Sequence, residues 1–370
     1  MGPVGQGRPL KVLISGAGIA GAALACLLDR GGHEVLVVER DQGVRSSGNP
    51  VDVRGPAYAV VDELGLLARL RERATGVRGL VFVDPAGRRL ASLPTRRSNR
   101  ELEVSRADLC AALVASAGRA DFRFDDTITS LDQDDEGVDV SFERGRNGRF
   151  DLVVGADGLH SMVRRLAFGP ETDFVRRLGI YIATARLPID LGRDDTVWMH
   201  SRPGAAVAVH PGSGQPGVAF MFRSRAVVDS RDRAGAERLV ARTYGTMGWR
   251  APELLAGYLA AEEPYFDAVS RVSVTNWSRG RVVLLGDAAS CVSLFGEGSS
   301  AAVAGAAALA DSVSRTPDDI AGALVRYQSR HQRLTRHGQR GAAVAARLLI
   351  PATRTGITAR DRVLRLTGHR

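Results

Sequence analysis

Apolar runs, helical stripes and alternating segments follow one another along this chain in an order that predicts its elements. Val12 to Ile14 and Val35 to Val38 are unbroken apolar runs, the pattern of strands buried on both faces. The small-residue stretch between them reads as a helix. Gly55 to Glu72 carries Val60, Val61, Leu64, Leu67 and Leu70 at helical spacing. Leu80 to Val83, the Pro85-Ala86-Gly87 turn and Arg89 to Ser92 predict a hairpin. A strand around Leu102 to Val104 precedes a helix over Arg106 to Ala117. Alternation in Ile128 to Leu131 and Val138 to Phe142 gives a meander with a polar turn from Asp132 to Gly137, and Asp151 to Gly155 is another buried strand.

The pattern changes after Leu178. Ile180 to Leu187, Thr196 to His200, Ala205 to His210 and Gly217 to Phe222 read as four strands between Pro/Gly turns, an antiparallel sheet inserted in an α/β chain. A helix over Ala234 to Tyr244 and a strand over Val269 to Val274 follow. Arg281 to Gly286 is a further buried strand, and Ala301 to Val313 and Ala321 to Leu349 read as helices. The Gly341 to Ile350 stretch, Pro351 and the basic tail admit two readings. One is an amphipathic anchor on anionic lipid. The other is a helix packed across both domains with its arginines in water; the final DRVLRLTGHR is either frayed or docked.

Chemistry enters at the first turn. Gly16-Ala17-Gly18-Ile19-Ala20-Gly21 stands between a strand and a helix, and Glu39 closes the second strand 18 residues beyond Gly21. Gly16 suits a tight turn, Gly18 the close approach of a pyrophosphate and Gly21 tight helix–strand packing. The helix N-terminus attracts phosphate, and an acid at Glu39 is placed to accept from a ribose hydroxyl. A dinucleotide site follows, though the motif does not choose between FAD and NAD(P). Two later segments repeat the scheme of a buried strand ending in an acid beside glycine: Asp151 to Gly158, which continues to Arg164, and Arg281 to Asp287. Either acid alone reads equally as a ligand contact or as a cap on the following turn.

Composition narrows the class. With 370 residues and 44% hydrophobic content, there is room for two domains and a sizeable core. No stretch of 18 apolar residues exists, so an integral membrane protein is not expected. Cys26, Cys110 and Cys291 form neither a disulfide framework nor a zinc site, and no metal is expected. With a segment too polar for a secretory signal at MGPVGQGRPLK, they suit the cytoplasm. The net charge of +9 is carried almost wholly by arginine, spread along the chain with only 5% aromatics, which argues against nucleic-acid binding. A positive field still draws an anionic cofactor or substrate.

Taken in order, Gly16 to Gly21, Asp157-Gly158 and Gly286-Asp287 resemble the class A FAD-dependent monooxygenases, the family of para-hydroxybenzoate hydroxylase and the TetX-type enzymes. The resemblance runs from the first strand to about Val313. It implies a Rossmann-type FAD-binding domain over 1–75, 100–172 and 272–315. An inserted antiparallel-sheet substrate domain would span 76–99 and 173–271, with a C-terminal helical segment over 316–370. It further implies a bound FAD, transient reduction by NADPH or NADH, and a C4a-hydroperoxyflavin. That species would use O2 to hydroxylate or epoxidise an aromatic or polyketide-like small molecule, in secondary metabolism. In this likeness Glu39 and Arg40 serve the adenosine side, Asp52 and Arg106 contact the flavin, and Arg45 serves NADPH. Asp157 and Gly158 lie by FAD and the visiting nicotinamide, Asp287 binds the ribityl chain and phosphates, and Gly296 and Gly298 start the following helix.

The likeness is imperfect at one loop. The family usually continues GDAA with His and then Pro, whereas Ser290 and Ser293 stand there and the loop reads one residue shorter. Tyr181, His200, His210 and Met221 are candidate pocket residues on the inserted sheet, with Trp198 a pocket or core residue and Phe220 and Phe222 core. A flavin-dependent halogenase would need a WxWxIP-like segment, and Trp198, Trp249 and Trp277 stand alone. A geranylgeranyl-reductase-type enzyme and a flavin-binding protein that sequesters ligand without turnover are the other readings.

Overall fold

A computed structural model describes residues 8–44, 50–95, 97–189, 195–212, 216–292 and 297–367. Its centre is a six-stranded sheet in the order Ser278–Arg279, Val282–Leu284, Leu152–Gly155, Lys11–Ser15, Glu34–Glu39, Asp121–Phe124. All neighbours pair in parallel except the two-residue edge strand. Val12, Leu13, Ile14, Val153 and Val154 are fully buried, because helices cover both faces. Helix Ile19–Arg30 packs against helix Glu297–Arg315, so the chain's beginning and its third motif share one wall. His331 and Tyr327, on helix Ile320–Leu349, close around the buried Trp277 indole.

The second sheet has eight strands: Ser290–Val292, Tyr265–Ser273, Val175–Arg186, Gly217–Arg223, Ala205–His210, Thr196–Arg202, Gly79–Val83 and Arg89–Pro94. It is antiparallel except where Thr196–Arg202 runs parallel to Gly79–Val83. Both faces are covered. On one, Tyr181, Ala183, Phe220 and Phe222 meet helices Arg233–Tyr244 and Ala251–Ala260. On the other, Ile180, Met199, Ala206 and Met221 meet Ala346 and Ile350 from the end of the long helix. Smaller sheets pair Pro50–Val53 with Leu102–Ser105 and join Ile128–Gln133, Val138–Phe142 and Gly148–Phe150.

The α/β class, parallel sheet, inserted antiparallel sheet and C-terminal helices agree with the sequence reading. Two details differ, and one open reading is decided. The stripe over Gly55 to Glu72 folds as two helices, Pro56–Glu63 and Leu67–Glu72, because Gly65 turns left-handed at φ 74° between them. The strand expected to reach Gly286 stops at Leu284, and Gly286 (φ 63°) starts a tight turn instead. The tail is docked as helix Arg354–Thr367 against strand Arg89–Pro94. Arg360 there lies 4.2 Å over the Phe82 ring and pairs with Asp361, so one tail arginine is buried rather than in water.

Candidate functional site

The first turn is shaped by contacts no side chain could replace. Gly16 adopts φ 105°, and a Cβ there would stand 2.6 Å from the Ala156 carbonyl oxygen, which belongs to the second motif. At Gly21 it would meet the Gly16 carbonyl oxygen at 1.9 Å. Gly18 is the opposite case, with open space around it. It caps helix Ile19–Arg30, which carries neither a side-chain cap nor an acid in its first turn. That uncapped, acid-free N-terminus is a seat for phosphate.

Glu39 points back at this turn. Its carboxylate accepts from the backbone N–H groups of Ala17 (2.9 Å) and Asp41 (3.1 Å). The neighbouring Arg40 is half-exposed and 4.0 Å from Asp41. Cys110 donates its thiol proton to the Ala17 carbonyl, and its pKa, raised to about 11 by burial, also feels Arg106 and Glu39. Arg106 therefore stands near the glycine turn. It begins helix Arg106–Ala115 behind a Ser105 cap, and the Cys291 and Tyr265 side chains feel its charge as well.

The second motif is occupied by its own helix. The Asp157 carboxylate accepts from Ser161 Oγ and from the N–H groups of Met162 and Val163 at 2.8 and 3.0 Å, with Ser15 Oγ at 3.4 Å. It caps helix Met162–Ala167, the structural alternative left open by the sequence. Gly158 takes φ 78° with open space about it. Asp287, in the third motif, faces helix Glu297–Arg315, where a Cβ on Gly298 would lie 3.6 Å from its carboxylate. Ser300 in that helix donates to the Asp52 carbonyl at 2.7 Å and accepts from the Arg54 N–H at 3.1 Å. Burial raises the Asp52 carboxyl above its ordinary range, against the opposing charge of Arg97. Gly16, Gly18, Gly21, Glu39, Asp52, Arg106, Asp157, Gly158, Asp287 and Gly298 thus come to one end of the parallel sheet. Arg45, Ser293 and Gly296 lie outside the described residues.

The four candidate pocket residues separate. Tyr181 is stacked between Phe222 and Phe266 on the helix-covered face and donates to the Ala226 carbonyl at 2.7 Å. His200 is buried 6.4 Å from the Trp249 ring, its Nδ1 against the Val83 carbonyl. Neither side chain is on the face that carries Met221. Met221 is on the other face, under Ala346 and Ile350. His210 shares its strand face with Ala206 and Ala208, but both ring nitrogens are engaged. Nδ1 accepts from the Gly212 N–H, so Nε2 carries the proton and donates to Glu103 at 3.0 Å.

Sequence reasoning missed Glu103, which binds His210, Thr75 and Arg97 together. It also missed Thr184 and Tyr265, in register on adjacent strands, where among the described residues Thr184 Oγ1 is buried without a hydrogen-bond partner. A polar residue between apolar neighbours is the only trace of Thr184 in the sequence. A cleft of about 580 Å³ lined by Tyr58, Arg71, Asn99 and Arg100 among others holds none of the motif residues. The convergence of motifs, rather than concavity, locates the site. Among the described residues no His, Cys, Asp and Glu cluster could hold a metal ion, and no helix is long and apolar enough to cross a membrane.

The FAD binding domain family model matches residues 9–323. The chain belongs to the class A FAD-dependent monooxygenases. It is 39% identical over 330 residues to an uncharacterized protein of Mycobacterium tuberculosis, covering 86% of this chain and 88% of that one. A flavin-dependent monooxygenase of Legionella longbeachae is 31% identical, covering 87% and 85%. Among solved structures, tetracycline destructase Tet(51) superimposes with a TM-score of 0.85 at 28% identity, over 97% of this chain and 96% of that one. Tetracycline destructase Tet(55) gives 0.84 at 30% identity, over 96% and 95%. The open Gly18, the uncapped helix and the acid at Glu39 fit FAD, the family's cofactor. This monooxygenase is an oxidoreductase whose redox chemistry resides in that flavin.

Proposed function

We propose that the chain uses NADPH or NADH and O2 to hydroxylate or epoxidise an aromatic or polyketide-like small molecule in the cytoplasm. The observation that carries this reading is the meeting of three separated motifs at one sheet end: Gly16 against Ala156, Asp287 against Gly298, and Arg106 within electrostatic reach of Cys110 beside the first turn and of Cys291 beside the third. Held there by the Gly16 to Gly21 turn, Glu39 and Asp287, FAD would supply the redox chemistry, accepting two electrons from the nicotinamide and activating O2 for transfer of one oxygen atom.

The protein's own groups do the rest. Gly16, Gly18 and Gly21 shape the pyrophosphate seat, with Gly158 and Gly298 flanking it. Glu39 and Arg40 serve the adenosine end. Asp52, Arg106 and Asp287 face the flavin half, and Asp157 holds the second motif in shape through its cap. The eight-stranded sheet and the C-terminal helices exclude water, which limits loss of the oxygen as hydrogen peroxide. The chain divides into an FAD unit over 1–75, 100–172 and 272–315, a substrate unit over 76–99 and 173–271, and a C-terminal segment over 316–370; the sheets support the first two except that strand Ser290–Val292 joins the eight-stranded sheet. Three buried free thiols support a reducing compartment.

The test is a screen of phenols, quinones and polycyclic polyketides against the FAD-loaded protein. NADPH and NADH are each supplied, with isotopically labelled O2. A ligand that accelerates nicotinamide oxidation and emerges carrying one labelled oxygen atom is the expected result. Nicotinamide oxidation that no ligand changes, with all labelled oxygen recovered as peroxide, would overturn it.

A further inference from the structure

Strand Tyr265–Ser273 carries a set of titratable groups that the cofactor motifs do not use. Tyr265 and Asp267 alternate with Phe266 and Ala268, which belong to the helix-covered core, so the first two face the other way. Tyr265 is in register with Thr184, and Asp267 with Ile182. The Tyr265 phenol lies within electrostatic reach of Arg106, Asp287 and Cys291, which places it beside the flavin half of the cleft. Its hydroxyl is 3.5 Å from Asp267 Oδ2. That carboxylate oxygen is 3.7 Å from His160 Nε2, and His160 Nδ1 is 3.1 Å from Glu171. The His160 and Glu171 side chains are 37% and 41% exposed. Arg164, 3.7 Å from Glu171, is the other charge at the outer end.

We propose that Tyr265, Asp267 and His160 form a path that carries protons between the flavin cleft and solvent at Glu171. The inference rests on the monooxygenase reading, whose overall balance demands such a route. Substrate C–H, O2, NAD(P)H and one proton become C–OH, NAD(P)⁺ and water. The nicotinamide provides two electrons, one oxygen atom enters the substrate and the other leaves as water. The proton comes from solution, and a cleft closed against water needs side chains to bring it.

The geometry suits transfer. Among the described residues His160 Nε2 is buried without a hydrogen-bond partner 3.7 Å from Asp267, so the neutral ring with its proton on Nε2 turns that N–H toward the Asp267 carboxylate and leaves the Nδ1 lone pair to a protonated Glu171. A proton taken at Nδ1 from the Glu171 side lets Nε2–H pass one to Asp267. The Tyr265 hydroxyl then relays it inward by accepting one proton and giving up its own. The gaps of 3.5 and 3.7 Å close with a small side-chain rotation or one bridging water. Asp267 first and Glu171 next raise the His160 pKa against the effect of burial.

Photoreduction of the bound flavin, with a sacrificial amine as electron donor and a pH dye in unbuffered solution, tests the path. The flavin takes up two electrons and a proton, and neither nicotinamide nor substrate is involved. Proton uptake is expected to slow at least tenfold in Asp267→Asn, His160→Gly and Tyr265→Phe, with flavin affinity unchanged. Millimolar imidazole, with the dye response calibrated in its presence, is expected to restore the His160→Gly variant. Uptake as fast as wild type in Asp267→Asn and Tyr265→Phe would overturn the proposal. So would slowing that imidazole does not relieve, the mark of a structural role. Tyr265→Phe keeps the packing and carries the test alone if the other variants do not hold flavin. Failure of NADPH and NADH to reduce the flavin would strike the proposed function and leave this measurement intact.

Discussion

Arg164 Nη1 donates a hydrogen bond to the Ala288 carbonyl at 3.0 Å, joining the helix of the second motif to the turn of the third. The same guanidinium donates from Nη2 to the Leu159 carbonyl at 2.6 Å, and the side chain is 1% exposed. A buried arginine is tolerated here because two carbonyls and Glu171 compensate its charge. Arg164→Met is therefore expected to lower stability by about 2–3 kcal/mol through lost charge-assisted hydrogen bonds. It should also weaken FAD at least tenfold, because Asp287 lies in the same turn, one residue before Ala288. Thermal unfolding and flavin fluorescence titration measure the two effects. A stability loss with unchanged affinity would show that the Asp287 turn holds itself.

The glycines of the first turn should separate folding from binding. Gly21→Ala drives a methyl into the Gly16 carbonyl and should destabilise the apoprotein by about 3 kcal/mol or more, as overpacking does. Gly18→Ala meets no atom within 4 Å and should cost about 1 kcal/mol or less, the usual scale for this change at a helix cap. Its FAD affinity should nevertheless fall at least tenfold, because the methyl takes the space of the phosphate. Calorimetric titration of both variants with FAD checks the contrast.

What the sequence made legible was local. The glycine turn, Glu39 and the strand-ending acids each stand in a short run whose pattern is visible in the sequence alone. Which face of the inserted sheet meets the cleft is not local. Both faces are covered, so Tyr181 and Ile182 sit in equally apolar surroundings, and only the placement of the 233–260 helices turns Tyr181 away. His210 was legible as a strand-end histidine, but its partner Glu103 is 107 residues distant. Asp157 was legible as either ligand or cap, and the chain folds it into the cap.

One buried and one half-buried group, His331 and Glu103, should give acid instability in two stages. Burial lowers the His331 pKa to about 4, so the unfolded chain binds its proton first as pH falls from 6.5. Stability should drop by about 3 kcal/mol between pH 6.5 and 4 on this account. Burial works to raise the Glu103 carboxyl, but His210, Thr75 and Arg97 outweigh it and hold the group at about 2. Its contribution is full above the unfolded value of 4.5 and is lost as pH falls toward 2. Denaturant melts across this range should show both slopes. His331→Gln should remove the upper one and Glu103→Gln the lower one, whatever each costs at pH 7.

Thr184 should reveal whether the inserted sheet reads a substrate oxygen. Among the described residues its Oγ1 is buried with no hydrogen-bond partner, which carries the cost of a desolvated hydroxyl. Valine has the same shape and suits a strand, and Thr184→Val is expected to raise apoprotein stability by about 1 kcal/mol. A native residue that costs stability is explained if its hydroxyl meets a ligand beside Tyr265, its cross-strand neighbour. The variant should then show a KM at least fivefold higher for whichever ligand stimulates nicotinamide oxidation, with kcat little changed, since a contact made equally before and during oxygen transfer affects binding alone. Higher stability with an unaltered KM would mean that the hydroxyl faces the cleft without touching what binds there.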